Sequence, residues 1–528
     1  MHLGHSYKQH PPTGAFDAIV IGSGIGGLVS AAVLSRFGKK RVLVLERHYR
    51  LGGFTHTFTR PGYEWDVGVH YIGQVGERGA LRALFDKLSD GRIRWAPLPD
   101  VYDRVELGTR GYDFVSGTGR FIETMGQAFP NERDAIAKYV DLVKTTTKRG
   151  SMFFMSRSLP SIVSAVTSPF TTRGFAELAS RTTRDVLLEL TKNEELIAVL
   201  TGQYGDYGLP PSRSSFAMHA ALVSHYLGGA FYPVGGASVF AEGIAPLIEE
   251  NGGHLAVSAE VSSIILEQGI AVGVRLADGS EQRAPLVISD AGVANTFGRL
   301  VPEASRPASW TKALATVPPS SSYLCLYLGF KATDAELGLT GTNLWLYPDE
   351  KHDENVARFE ADPEAPFPMV YLSFPSAKDP DFQRRFPGRA TVDVITMAKW
   401  EWFSKWQGTR WHKRGEDYDA FKQRFTERLL EVVFKRLPQL RGRVDVAELS
   451  TPLTAEHFAS HPRGELYGID HTPARYELPL RAKTPIPGLM LTGADLATCG
   501  VAGGALGGLI TAAAVVGPGP VMGLLKRS

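Results

Sequence analysis

"FDAIVIGSGIGGLVSAAVLSRFGKKRVLVLE", residues 16–46, reads as a strand, a tight glycine turn, a helix and a second strand. Ala18 to Ile21 are apolar and mostly β-branched, and Val29 to Leu34 suit a buried helix. Between them lies Gly22-Ser23-Gly24-Ile25-Gly26-Gly27, which has the spacing G-x-G-x-x-G. The first glycine of that spacing makes the turn, the second lets main chain approach a pyrophosphate, and the third lets helix and strand pack closely. The helix start then offers free N–H groups and the positive end of its dipole to phosphate. The motif alone is weak. Here it comes after a strand, opens a helix and precedes Glu46 at the end of the next strand, where a carboxylate holds ribose hydroxyls. These residues, with Arg47 beside them, predict a dinucleotide site. Residues 18–35 carry no charge and are long enough to alarm a membrane scan, but their glycine and serine pattern favours a buried strand–helix unit.

The stretch just past Glu46 separates FAD from NAD. "RHYRLGGFTHTFTRPGYEWDVGVHYIG" (47–73) begins no second strand–helix crossover; it offers Gly53, Phe54 and Thr55 to an extended dinucleotide lying along the chain. The segment resembles the ER-x-x-x-x-GG stretch of FAD-dependent amine oxidases and phytoene desaturases, and so implies FAD. Those flavoproteins return to the cofactor near their carboxyl end through a strand, a G-x-D or G-x-E turn and a helix start of small residues. "PGLMLTGADLATCGVAGGALGGLITAAAVVG" (487–517) has that form. The resemblance places Gly493, Ala494, Asp495, Val501 and Ala502 at the flavin, where a helix dipole stabilises negative charge on the reduced ring. From Leu496 to Leu525 no side chain is charged, so length alone would also permit a membrane span. Asp495 at its start and Pro518 and Pro520 at its far end favour the flavin-facing helix.

The 528 residues exceed one simple core, and 43% hydrophobic with 21% charged residues is an ordinary globular balance. A net charge of +2 gives no sign of a nucleic-acid partner. Cys325 and Cys499 are the two cysteines, too few for a disulfide framework or a zinc site. No metal is expected, and a reducing, cytoplasmic setting is. Residues 1–14 read as a disordered leader without a secretory signal. The expected fold is α/β, with a discontinuous Rossmann-like FAD domain of the amine-oxidase (GR2) type over 15–75, 230–300 and 481–517. Within it Val261 is expected to lend main chain to the adenine. An inserted α+β substrate domain is expected over 76–229 and 301–480.

Residues 144–184 carry seven basic side chains against Glu177, with Leu159, Ile162, Val163, Val166 and Phe170 at helical spacing. A helix of that kind contacts a membrane surface peripherally; a core-packed helix with a solvated basic edge is the equal alternative. "KWEWFSKWQGTRWH" (399–412) supplies four tryptophans, either for a greasy tunnel or, more commonly, for a packed core.

Longer matches narrow the reading. "EWDVGVHYIG" (64–73), "FAMHAALVSHYLGGAFYPVGGAS" (216–238), "VISDAGVANTFGRLVP" (287–302), "FPSAKDPDFQRRFPGRAT" (374–391), "PRGELYGIDH" (462–471) and "TPIPGLMLTGADLATCGVAGGALGG" (484–508) resemble the retinol saturase branch of the phytoene desaturase and carotenoid isomerase flavoproteins. The likeness runs from about Phe16 to Val516. It departs at Val234, where a basic residue is expected, and at Ala494. It implies FAD, a long apolar polyene as substrate, and work at a membrane surface. The implied reaction is hydride delivery from reduced flavin N5 to a C=C bond, completed by a proton. His70 and Tyr71, just past the "DVG" loop, are candidate proton donors, with plain ring packing as the other reading of His70. Tyr204, Asp206, Tyr207, His219 and His225 are candidates for the substrate tunnel. Desaturation or cis–trans isomerisation is the alternative chemistry, and a non-catalytic lipid escort on the same scaffold is the alternative class. No second G-x-G-x-x-G is present for NAD(P)H, so a nicotinamide donor would bind transiently. The sequence leaves oligomeric state open.

Overall fold

The computed structural model describes residues 4–158 and 173–526. Leu159, Ile162, Val163, Val166 and Phe170, the apolar face expected to meet a membrane, lie outside the described residues.

A six-stranded parallel sheet organises the molecule, in the order His5–Ser6, His254–Val257, Val42–Leu45, Ala18–Ile21, Val287–Ser289 and Leu489–Leu491. Its strands come from the start, middle and end of the chain, and the central ones are buried on both faces, as their unbroken apolar runs require. The helix Ile25–Arg36 is buried from Ile25 to Ser35 and packs against both Gly500–Val516 and Val239–Glu250. Small residues permit that contact. A Cβ on Gly26 would lie 2.4 Å from Gly493 Cα, and one on Gly507 would lie 2.0 Å from the Gly493 carbonyl oxygen. Gly500–Val516 is therefore an internal helix of the cofactor domain. Among the described residues no helix is long and apolar enough to cross a membrane.

Two expectations are corrected. His5–Ser6, expected in a disordered leader, pairs with Ala256 and Val257 at the sheet edge, and Tyr7 is buried behind it. Apolar burial of Tyr7 and the free edge of the Val257 strand explain the docking. Residues 80–97, expected in the substrate domain, join the cofactor domain instead. The helix Ala80–Ser89 presents Leu81, Leu84, Phe85 and Leu88 to the core under the parallel sheet.

The second domain is a seven-stranded mixed sheet, ordered Val444–Ser450, Ser322–Phe330, Ala390–Ala398, Val370–Ser373, Asn343–Tyr347, Val101–Leu107 and Arg110–Val115. One face packs on helix Glu416–Arg436 and on the short turns Trp400–Trp402 and Ser404–Trp406. Trp400 and Trp406 are buried in that core, while Trp411 reaches the large central cavity. Helix Arg133–Ser156 closes the molecule beside Phe216–Tyr226. Arg157, one of the seven basic residues expected on a membrane face, is buried and donates to the Leu496 carbonyl at 2.7 Å. Burial pushes its guanidinium down to about 9.

Candidate active site

One cavity of about 900 Å³ runs from the carboxyl ends of the parallel strands to the inner face of the mixed sheet. At its first end lie Gly22, Ser23, Gly24, Ile25 and Gly26, with Glu46 and Arg47 alongside. Glu46 is fixed there by the Ser23 amide at 2.9 Å, the Ser23 hydroxyl at 2.6 Å and the His48 amide at 2.7 Å. Gly27 stands outside the cavity. A Cβ there would come within 2.4 Å of the Gly22 carbonyl oxygen, so its task is helix–strand packing. Gly53, Phe54, Thr55 and Val261 line the same end.

The far side of the groove is the second glycine turn. Gly493, Ala494, Asp495, Val501 and Ala502 all line it. Asp495 accepts the amides of Val293 at 2.7 Å and Ile469 at 3.0 Å, which ties three segments together. Neither Ile25–Arg36 nor Gly500–Val516 has a side-chain cap or an acidic residue in its first turn. Both open on the cavity with their N–H groups and positive dipole ends. Two uncapped helix starts, a fixed ribose-type carboxylate and glycine-lined walls fit FAD.

Beyond the groove the wall turns aromatic and apolar, with Tyr226, Tyr323, Trp345, Met369, Tyr371 and Ile395. His70, Tyr71, Asp206, His225 and Cys499 stand at the junction of the two parts. His70 Nδ1 lies 3.4 Å from the buried Asp393 carboxylate but is not aligned for a hydrogen bond. The Tyr71 ring stacks on Tyr226 with centroids 4.3 Å apart. Its hydroxyl lies 2.9 Å from Asp103 Oδ2 and 2.9 Å from Asp206 Oδ2. Asp103 also accepts from Gln203 Nε2 at 2.6 Å and Asn343 Nδ2 at 2.7 Å. The buried Lys378 ammonium donates to Asn343 Oδ1, to Ser373 Oγ at 2.7 Å and to the His70 carbonyl at 2.9 Å. Burial pushes its pKa down to about 7, against the pull of Asp103 and Asp393.

Known proteins share this arrangement to different depths. Residues 20–88 match a family model described as NAD(P)-binding Rossmann-like domain. The chain is 39% identical over 522 residues to all-trans-retinol 13,14-reductase of Danio rerio, covering 95% of this chain and 86% of that one. The chain belongs to the all-trans-retinol 13,14-reductase family. Prolycopene isomerase of Arabidopsis thaliana is a more distant relative of this family member, 28% identical over 85% of this chain and 73% of that one. The fold is shared with cyclohexylamine oxidase of Brevibacterium oxydans, with a TM-score of 0.62 at 18% identity over 95% of this chain and 99% of that one.

In this family member the cofactor-end residues named from sequence, Gly27 apart, line one cavity, but Tyr204, Tyr207 and His219 among the tunnel candidates do not. Tyr204 and Tyr207 are fully buried and do not line the cavity. Tyr204 packs on Tyr347 and His352, and the Tyr207 hydroxyl meets His219 Nδ1 at 3.3 Å. His225 does line it. Its Nε2 accepts the Gly73 amide at 2.7 Å, and burial pushes its pKa down to about 4, so it is neutral.

Sequence reasoning missed Asp290, Arg475, Lys378 and Asp103. Asp290 ends the Val287–Ser289 strand, and its carboxyl faces Gly24, Gly26 and Gly493 closely enough that a Cβ on any of them would collide with it. Burial pushes Asp290 up to about 7, offset by a hydrogen bond from the Gly27 main chain. Arg475 is buried and donates to the Ala494 carbonyl at 2.9 Å, holding the turn that precedes Gly500–Val516. The "SDAG" at 289–292 ends a strand beside the glycine turn, and that position was the one available signal for Asp290. Nothing local marks the other three.

Proposed function

We propose that this protein is an FAD-dependent oxidoreductase that saturates a C=C bond of a long apolar polyene, a retinoid or carotenoid. The observation that carries the reading is continuity: the dinucleotide cradle and the aromatic, apolar wall are two ends of one cavity. A polyene lying along Met369, Ile395 and Tyr371 has one end directed at the small-residue helix start. Bound FAD, once reduced, supplies the hydride at N5.

The chain's own residues do the rest. The apolar wall excludes water and fixes which bond meets the cofactor. The uncapped start of Gly500–Val516 stabilises charge at the cofactor ring. His70, Tyr71 and Asp206 bring several titratable groups together where the groove meets the apolar wall, and this cluster delivers the proton. The electron donor is proposed as transiently bound NAD(P)H or a redox partner. A substrate this apolar resides in lipid, so the protein is proposed to work peripherally on a membrane from the cytoplasm, which vesicle flotation tests.

Isomerisation is the second reading, supported by the likeness to prolycopene isomerase. One anaerobic experiment separates them. Enzyme with reduced flavin and, separately, with oxidised flavin is mixed with all-trans-retinol and with a carotenoid panel, and both flavin absorbance and lipid products are monitored. Flavin reoxidation with a product carrying two more hydrogens is the expected result. A product of unchanged composition means isomerisation, and bleaching of oxidised flavin means desaturation.

A further inference from the structure

The Tyr71 hydroxyl has one proton and two carboxyl neighbours at 2.9 Å. It can donate to one of them only; the other contact requires a carboxyl that is itself protonated and donates to the phenol oxygen. The surroundings decide which. Burial pushes the Asp103 carboxyl up, but three donors, Asn343, Gln203 and Tyr71, oppose that, with Lys378 adding its attraction. Such donors favour the charged form. The Asp206 carboxyl has Tyr71 as its hydrogen-bonding neighbour among the described residues and faces the cavity. Two carboxyls around one hydroxyl in a buried site do not both ionise.

We infer that Asp206 carries this proton and is the group that protonates the double bond, with Tyr71 as its positioning residue and Asp103 as the charged anchor behind it. This inference rests on the proposed saturation chemistry. Hydride enters one carbon of the double bond. The π electron pair takes the Asp206 proton at the neighbouring carbon. The flavin ends oxidised and Asp206 ends as a carboxylate. This doubly ionised state is transient: the Tyr71 hydroxyl turns its proton from Asp103 to Asp206, Asp103 keeps its other two donors, and Asp206 regains a proton from solvent as product leaves.

Location supports the assignment. The Cys499 thiol, at the start of Gly500–Val516, contacts the Asp206 carbonyl at 3.5 Å, so Asp206 sits where the cofactor groove becomes the apolar cavity. Burial, then repulsion from Asp103, pushes Asp206 up to about 8, with Tyr71 and Lys378 opposing. The other groups facing it are Tyr226, Tyr371, Tyr323 and Tyr467, all pushed above the ordinary phenol range by burial, and Cys499, pushed up to about 12. Lys378 alone among them titrates nearby. Tyr71 is also pushed upward by burial and its two carboxyl neighbours, so it passes a proton on but does not surrender one. His70 is turned toward Asp393.

The test uses FAD-loaded protein and all-trans-retinol without oxygen. Infrared difference spectra of wild type should show a protonated-carboxyl band that is lost as pH rises through about 8, is absent in Asp206→Asn and shifts in Tyr71→Phe. Lys378 has no such band. Reoxidation of reduced flavin by retinol should slow by about 100-fold or more in Asp206→Asn and recover to within about tenfold in Asp206→Glu. Asp206→Asn that binds FAD and turns over within threefold of wild type overturns the donor assignment alone. A wild type that transfers no hydrogen to any polyene overturns the saturase reading and the donor role with it. If Asp206→Asn does not fold, loss of the wild-type band and of turnover at the same pH supports the assignment, and an activity limb with no matching band overturns it.

Discussion

The two ends of the cavity are built on opposite principles. The cofactor groove is made of main chain, with uncapped helix starts and glycines that touch across 25–36 and 493–508. The substrate end is made of side chains: stacked phenols, buried carboxyls and one buried ammonium, drawn from strands far apart in sequence. The first recognises shape and phosphate and tolerates almost no added atom. The second stores charge and protons and tolerates changes of shape better than changes of charge.

The sharpest way to break that contrast is Gly26→Val. Its Cβ would meet main chain of Gly493 that cannot move aside, so flavin absorbance relative to protein should fall to background, while Gly228→Ala, which meets nothing within 4 Å, keeps full flavin. Lys378→Met attacks the other end. Leaving Asp103 and Asp393 buried without their counter-charge should cost about 3–5 kcal/mol in urea unfolding, yet the molecules that remain folded should keep their FAD.

Asp290→Asn probes the one titratable group that the substrate end's logic shares with the groove. Asp290 is pushed from 3.8 up to about 7 in the folded protein. Its contribution is therefore fully present below about 4 and lost as pH rises through 7. The Asn variant should gain on wild type by at most roughly 1.4 kcal/mol per pH unit across that window, read as the difference in urea midpoints at pH 5 and 8. An equal difference at both values would show that Asp290 is not the titrating group. The smallest effect is expected for Glu46→Gln, which loses the charge and keeps one oxygen to accept either the Ser23 or the His48 amide; FAD titration into apo-protein should give roughly tenfold weaker binding, worth about 1.4 kcal/mol.

Legibility in the sequence splits along the same divide. Gly22 to Gly27, Glu46 and Gly493 to Ala502 act through main chain and turn geometry, which local spacing encodes, and they are readable in order. Tyr204, Asp206 and Tyr207 share one short turn, and the sequence names all three for the tunnel when only the aspartate side chain faces it. A period cannot assign three neighbours of an irregular turn to inside or outside. Lys378, Asp103 and Asn343 meet only because the Asn343–Tyr347 strand lies parallel to Val101–Leu107 in the mixed sheet, a pairing across about 240 residues that no local pattern reveals. The same holds for Arg475.

The strand Leu489–Leu491 and the helix after it complete the groove that the first thirty residues begin. On the ribosome the amino-terminal turn is made first and must wait for nearly the whole chain before its glycine partner emerges. Cofactor capture is thus a late event in the life of the nascent chain, and retained flavin certifies that translation ran through Gly500–Val516.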